Sequence, residues 1–129
     1  MGNRYSSAFI SSRHMRGPEL QTARAALESA GVAVTSRWLT EARPTGDAAD
    51  PHWVAHVTRE DIERADVYIL RGDERGDSGQ RHVEFGIAMG LGKPLIVVAA
   101  EAENMWQRLP GVEVLPDWAA VEKHLRGND

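Results

Sequence analysis

The sequence predicts an α/β fold in which a five-stranded, mainly parallel sheet carries helices on both faces. Two observations support this fold class. Short apolar runs alternate along the chain with segments whose apolar residues recur at helical spacing, and Gly or Pro residues mark most boundaries between them. This alternation is typical of βαβ units. The length of 129 residues is close to the most common domain size, so we expect one domain over residues 1–129.

The first half of the chain supplies two strands and two helices. We predict a strand at Tyr5–Ile10 and a helix that opens at Gly17-Pro18 and ends at Gly31. A second strand follows at Val32–Leu39, and a second helix covers about 51–65 after a polar loop. The apolar stripe of the first helix consists of Leu20, Ala23, Leu27 and Ala30.

The second half continues the alternation with three strands and two helices. In order, they are a buried strand at Val67–Leu70, a helix at about Gln80–Leu91, a strongly apolar strand at Leu95–Ala100, a short strand at Val112–Leu115 and a last helix that Asp117 caps. The natural architecture for this order is a flavodoxin-like, doubly wound sheet. Ligands of such sheets bind beyond the carboxyl ends of the strands. The segments 11–16, 71–79 and 99–104 should therefore lie near one another.

Composition and charge exclude several classes of protein. The net charge is −4, which disfavours a general binder of nucleic-acid polymers. The absence of cysteine excludes disulfides and thiolate nucleophiles. Residues 1–12 are polar and no stretch approaches about 18 apolar residues. We therefore expect a soluble, cytoplasmic protein with no membrane partner.

Glu84 is the first candidate for chemistry. On a helical wheel Val83, Ile87 and Gly90 form the stripe that should face the sheet, and Glu84 lies on the flank of that stripe in the first turns of its helix. This position predicts a partly desolvated carboxylate near the ligand end, which the helix N-terminus keeps ionised. Such a group suits nucleophilic attack at an anomeric carbon. The alternative is a solvated glutamate that only complements the helix dipole.

The segment before this helix and the preceding helix supply further candidates. Ser78 and Gly79 precede free helix N–H groups that can receive a phosphate or a 5′-hydroxyl. Asp61 lies in an apolar stripe formed with Val54, Val57, Thr58 and Ala65. A carboxyl group there is either functional, as an acid or an orienting group, or paired with an arginine.

Two other patterns in the sequence give weaker indications of function. His52 and His56 are spaced to share a metal, but no third ligand is evident, so we expect no metal and no cofactor. The four tryptophans are typical of core or interface positions, and the exception to watch is Trp106, whose loop follows the carboxyl end of a predicted strand.

The stretch from Ser78 to Pro94, SGQRHVEFGIAMGLGKP, resembles the nucleoside 2-deoxyribosyltransferase-like family, which includes nucleotide N-glycosidases. That family shows a Gly-rich turn, an Arg-His-Val-Glu-Phe-Gly run and an Ala-x-x-x-Gly-Lys ending. Supporting pieces follow in order along almost the whole chain: Tyr5, Val34 to Leu39, Asp61-Ile62, Ala65-Asp66, Glu103-Asn104 and Leu109-Pro110.

The resemblance implies a flavodoxin-like fold, a homodimer or higher homo-oligomer and a small nucleoside or nucleotide substrate. It assigns the nucleophile to Glu84 and the site for the sugar 5′ end to Ser78 and Gly79. It also implies that Asn104 completes the pocket of a neighbouring subunit and that Tyr5 lies near the sugar and Glu84.

The chain departs from the family pattern at two positions. Gln80 stands where a second Gly is common, and its side chain can narrow a phosphate site. Thr58 stands where the family commonly has its second catalytic acid. Asp61, one turn later on the same face, is the candidate substitute.

The resulting hypothesis is cleavage of an N-glycosidic bond by a retaining double displacement through a glycosyl-Glu84 intermediate. Water or another nucleobase resolves the intermediate, so a hydrolase and a transferase both stay open, as do the base and the sugar. Arg13 and Arg16 follow the first strand and favour a 5′-monophosphate. The alternative is a catalytically weak or inactive nucleotide-binding module on the same fold, which the threonine at position 58 motivates.

Overall fold

The computed structural model of the protein describes residues 3–12, 17–40, 50–72 and 79–127. The strands within these ranges are β1 (Ser7–Ser11), β2 (Ala33–Val34), β3 (Val67–Arg71), β4 (Leu95–Val98) and β5 (Val112–Leu115). The α-helices are α1 (Gly17–Ser29), α2 (Arg37–Thr40), α3 (Pro51–Arg64), α4 (Gln80–Gly90) and α5 (Trp118–Leu125), and a 3-10 helix covers Met105–Arg108.

The five strands form one parallel sheet in the order β2-β1-β3-β4-β5. This is the flavodoxin-like order, so the predicted fold class is confirmed. The central strand β3 pairs on one side with β1, with Phe9 opposite Tyr68, and on the other side with β4, with Tyr68 opposite Leu95. Its first four residues are fully buried, as expected for a strand that is covered on both faces.

The side chains of the sheet alternate between two apolar layers. Ala8, Ile10 and Ile69 belong to the layer that α1 and α5 cover. Phe9, Tyr68 and Leu70 belong to the layer that α3 and α4 cover. Because side chains alternate along a strand, Ser11 points to the same side as Phe9, toward α3 and α4.

The predicted boundaries hold best where a cap or a glycine sets them. Gly31 has a φ of 91° just after α1, as expected of a glycine that ends a helix. Asp117 caps α5, since its side chain accepts a hydrogen bond of 2.8 Å from the N–H of Ala120. Of the predicted stripe of α1, Leu20, Ala23 and Leu27 are buried.

The second strand is much shorter than the predicted Val32–Leu39. It comprises only Ala33–Val34, and α2 occupies the second half of the predicted range. The Ser36 hydroxyl accepts from the N–H of Ile10 at 2.7 Å and donates to its carbonyl at 3.2 Å. The side chain therefore replaces the backbone pairing beside β1, and the chain turns into α2 at that point.

The predicted sheet-facing stripe of α4 is wrong. Arg81, Phe85 and Ala88 face the sheet, whereas Val83 is 65% exposed. The helical wheel placed Val83 in the sheet-facing stripe and did not include Arg81. Arg81 is buried because it pairs with Glu103, as described below.

No helix within the described part of the chain is long and apolar enough to cross a membrane. The cytoplasmic location stays a prediction.

Candidate active site

Glu84 lies on α4 and reaches the carboxyl end of β1. The hydroxyl of Ser11 donates a hydrogen bond of 2.9 Å to its Oε1. Ser11 is the last residue of β1 and is 1% exposed, and Glu84 is itself only partly exposed. The nucleophile candidate therefore stands at the edge of the sheet where a ligand of this fold is expected.

Burial raises the pKa of Glu84 from its ordinary 4.5 to about 7, and the hydrogen bond from Ser11 opposes that rise. The sequence predicted a carboxylate that the helix N-terminus keeps ionised. Glu84 is the fifth residue of α4, however, and the influence of the helix dipole fades beyond the first turn. Desolvation dominates for this reason, and the carboxyl group titrates near neutral pH.

Tyr68 forms the apolar wall beneath this contact. Its ring stacks on Phe9 at a centroid distance of 5.6 Å and meets the edge of Phe85 at 6.0 Å. Its hydroxyl donates to the carbonyl of Arg81 at 3.1 Å. Burial first and the charge of Glu84 second raise the pKa of Tyr68 well above its ordinary value, while side-chain hydrogen bonding to Ser11 lowers it. The phenol is thus neutral and its proton is directed away from Glu84.

An open groove of about 420 Å³ runs between α3 and α4 and reaches Glu84. Most of its wall is apolar, and the polar side chains are those of Thr58, Gln80 and Glu84. The full lining consists of Pro51, Val54, Ala55, Thr58, Gln80, Val83, Glu84 and Ile87. The groove brings Thr58 to the same cavity as Glu84.

Asp61 is buried as the sequence predicted, at 2% exposure, but it does not line the groove. Its Oδ1 accepts from Nε of Arg37 at 2.7 Å and its Oδ2 accepts from the backbone N–H of Arg37 at 2.9 Å. These contacts correspond to the second of the two readings that the sequence left open, a carboxylate paired with an arginine. The role of Asp61 as an acid stays a prediction, and the contacts favour a structural role that fixes the start of α2.

Tyr5 does not lie where the resemblance implied. It precedes the amino end of β1, whereas Glu84 meets the carboxyl end, and β1 spans about 13 Å at 3.3 Å per residue. It also packs against the layer under α1 and α5, on the other face of the sheet from α4. The tyrosine near Glu84 is Tyr68, which the sequence analysis treated as part of a buried strand. The period-two alternation that places Phe9 and Ser11 on one face is the signal that could have indicated the Ser11–Glu84 contact.

The loop after β4 is fastened to α4 by an ion pair that the sequence analysis missed. Arg81 binds Glu103 through two contacts, Nη1 to Oε1 at 2.9 Å and Nη2 to Oε2 at 3.1 Å. A Cβ on Gly72, just beyond β3, would lie 2.8 Å from Oε1 of Glu103 and 3.0 Å from Cβ of Ala99. A larger residue here would require Glu103 or Ala99 to shift, so the described parts of the loops after β3 and β4 meet closely at the carboxyl edge, as predicted.

A second ion pair lies at the same carboxyl edge, on the face of the sheet that α1 and α5 cover. Nε of Arg71 lies 2.6 Å from Oε2 of Glu19, and Nε1 of Trp118 donates to the same oxygen at 2.9 Å. These contacts tie α1, β3 and α5 together beside the site.

The remaining predicted residues divide into two groups. Gly79 stands immediately before α4 with a φ of 81°, a left-handed conformation that glycine adopts easily. Asn104 caps the 3-10 helix of its own chain, accepting from the N–H of Gln107 at 3.1 Å. Ser78, Arg13 and Arg16 lie outside the described residues.

Comparison with known proteins adds the fold relationship. No protein-family model matches the sequence, and no curated protein matches it. Several solved structures share the fold, and three of them are compared with this chain. A 2-deoxyribosyltransferase from Bacillus psychrosaccharolyticus has a TM-score of 0.65 at 24% identity, over 90% of this chain and 90% of that chain.

The other two structures match this chain over a similar share of its length. The CMP N-glycosidase BcmB from Clostridium botulinum has a TM-score of 0.62 at 17% identity, over 92% of this chain and 97% of its own. The solution structure of BlsM has a TM-score of 0.70 at 19% identity, over 96% and 91%. At these identities the likeness shows the fold alone. Two of the three names, however, are those of enzymes from the family that the sequence resembles.

Proposed function

We propose that this protein breaks the N-glycosidic bond of a (deoxy)nucleoside or a nucleoside 5′-monophosphate, with Glu84 as the nucleophile. The observation that carries the proposal is the partly buried Glu84 carboxyl group, which Ser11 holds at the carboxyl edge of the sheet beside an open groove. The fold shared with a 2-deoxyribosyltransferase and a CMP N-glycosidase supports the same reaction class.

The reaction proceeds by double displacement. Since Oε1 of Glu84 accepts the hydrogen bond from Ser11, Oε2 attacks C1′ of the sugar. The bond between C1′ and the base nitrogen breaks, its electron pair leaves with the base, and a glycosyl ester forms on Glu84. Water or a second base then attacks C1′, the ester C1′–O bond breaks, and the carboxylate is restored.

The departing base takes a proton from water in the groove, and the water or second base that resolves the ester returns a proton to solvent as it bonds to C1′. Thr58 has no carboxyl group to donate, and both oxygens of Asp61 accept hydrogen bonds from Arg37. The apolar walls at Val54, Val83 and Ile87 suit the planar face of a nucleobase. The sugar 5′ end then lies toward the start of α4, at Ser78 and Gly79, and Arg13 and Arg16 contribute positive charge to a 5′-phosphate.

A homo-oligomer is part of the proposal. Val54 and Val83 line the groove and expose 40% and 65% of their surface, and Trp53, next to Val54 on α3, exposes 44%. A second copy that covers these apolar side chains would close the groove to bulk water, with Asn104 reaching toward the neighbouring site.

Incubation of the protein with nucleosides and nucleoside monophosphates, with and without a second base, tests the function. Release of free base identifies a hydrolase, and an exchanged product identifies a transferase. Glu84→Gln should lower the rate by several orders of magnitude, because the amide keeps the shape of the side chain but forms no glycosyl ester. Turnover by Glu84→Gln close to that of the unmodified protein contradicts the mechanism.

A nucleotide-binding module without catalysis is the second candidate, and the absence of a carboxyl group at Thr58 favours it. It predicts saturable binding of a nucleotide by calorimetry with no base released over hours, and equal binding by Glu84→Gln.

A further inference from the structure

We propose that Ser11 is a positioning residue of the site: its hydroxyl fixes the orientation of the Glu84 carboxyl group and sustains the ionised form that attacks. This inference rests on the proposed function for its catalytic meaning, but its physical content is a property of the free protein.

The Ser11 hydroxyl lies within hydrogen-bonding reach of both the Glu84 carboxyl group and the Tyr68 phenol, and it donates its proton to Glu84. The residue is 1% exposed at the carboxyl end of β1, and it shares the α4-facing side of the sheet with Phe9. A buried hydroxyl is costly unless it finds a partner, and the partner here is Oε1 of Glu84 at 2.9 Å. An alanine at this strand position would pack equally well, so packing does not account for serine.

The other groups that face Glu84 do not replace this donor. On β3, the Tyr68 hydroxyl donates its proton to the carbonyl of Arg81. On α4, the Arg81 guanidinium is engaged by Glu103, and Gln80 is an uncharged neighbour in the groove. On α3, the groove residue is the uncharged Thr58. Among the described residues, Ser11 is thus the hydrogen-bond donor to the Glu84 carboxyl group.

The hydrogen bond from Ser11 affects the pKa of Glu84 because it stabilises one of the two protonation states of the carboxyl group. A hydroxyl that donates to a carboxylate favours the ionised form, so Ser11 lowers the pKa of Glu84 against the opposing effect of burial. Without this bond the pKa would lie further above 7, and a smaller fraction of the nucleophile would be ionised at neutral pH.

Carbon-13 NMR titration of the glutamate carboxyl groups tests the inference without any substrate. The Glu84 signal is assigned by its loss in Glu84→Gln. Ser11→Ala should raise the pKa of Glu84 by about one unit, the equivalent of one hydrogen bond to a charged group. Ser11→Thr keeps the hydroxyl and should restore the original value. Ser36→Ala is the matched control, because Ser36 is an equally buried serine bonded to Ile10 of the same strand. It should leave the Glu84 titration unchanged.

Activity provides the second measurement once a substrate is known. For a rise of one unit from about 7, Ser11→Ala should reduce kcat/KM about tenfold at pH 6, while at pH 9 the ionised fractions become almost equal. Any loss that persists at pH 9 measures the orientation of the carboxyl group. A purely structural role of Ser11 would instead lower activity by the same factor at every pH.

The outcomes separate this inference from the proposed function. An unchanged titration in folded Ser11→Ala overturns the role of Ser11, whether or not the protein cleaves nucleosides. A raised pKa in a protein that cleaves none supports the role and rejects the proposed function. If Ser11→Ala does not fold, Ser11→Cys decides, because the thiol is a weaker donor of similar size and should raise the pKa by a smaller amount.

Discussion

The titration of Glu84 near neutral pH should be visible in the stability of the protein. In the unfolded chain its carboxyl group has an ordinary pKa near 4.5, and in the folded protein burial raises the pKa to about 7. Between these values the folded state binds more protons than the unfolded state, so the free energy of unfolding falls as the pH rises. Glu84→Gln is neutral at every pH and removes this dependence.

The size of the effect follows from the two pKa values. One pKa unit corresponds to about 1.36 kcal/mol, so the change from 4.5 to about 7 corresponds to about 3 kcal/mol. At pH 5, already above the unfolded pKa of 4.5, Glu84→Gln should have gained less than about 1 kcal/mol relative to the unmodified protein on this account. By pH 8.5 the variant should have gained about 3 kcal/mol relative to the unmodified protein.

Urea unfolding at a series of pH values measures this difference directly. Glu113→Gln is the matched control, because Glu113 is exposed on β5 and its carboxyl group stays in water in both states. Its difference from the unmodified protein should be constant with pH. A difference for Glu84→Gln that is equally flat from pH 5 to 8.5 would refute the argument that burial governs this carboxyl group.

Three other predictions concern the rest of the site. Asp61→Asn should lower the Tm because it breaks the ion pair with Arg37; a catalytic acid would instead lower kcat with little change in Tm, so thermal unfolding and kinetics measured together decide between them. A nucleoside 5′-monophosphate should have a higher kcat/KM than its nucleoside, since charge-assisted hydrogen bonds to a phosphate contribute roughly 1.5–3 kcal/mol each; equal values would indicate a hydroxyl site. Light scattering should give at least a dimer at micromolar concentration, and Val83→Asp on the exposed rim should shift the mass toward the monomer; a monomeric unmodified protein would contradict the oligomer.

The fold could be predicted from the sequence because its signals are local. Apolar runs identify buried strands, and residues such as Gly31 and Asp117 act on their own neighbours along the chain. The predicted length of the second strand was wrong for the opposite reason, because its signals are not local. Ser36 and Arg37 leave the strand geometry because they bind Ile10 and Asp61, which are distant in sequence.

The site was predictable to a similar extent. The motif and the place on α4 predicted Glu84 as the nucleophile, which stays a prediction, and the burial of Asp61 followed from its apolar stripe. The sheet-facing side of α4 could not be predicted, because the burial of Arg81 depends on Glu103 beyond the next strand. The tyrosine near Glu84 was missed because Tyr68 lies in a continuous apolar strand, where the sequence does not distinguish a core residue from one beside the site.

The free energy that destabilises the Glu84 carboxylate also bears on its chemistry. In the proposed mechanism, attack on C1′ would convert a buried anion into a neutral ester, so the desolvation that raises the pKa to about 7 would be relieved as the glycosyl intermediate forms. The advantage has a limit, because only the ionised fraction attacks, and a still higher pKa would leave little of it at neutral pH. In the same proposal, the hydrogen bond from Ser11 would set the balance between these two requirements. The groove residue on α3 is Thr58, which has no carboxyl group, so the proposed reaction would depend on Glu84, and a pKa of about 7 keeps about half of that group ionised at neutral pH.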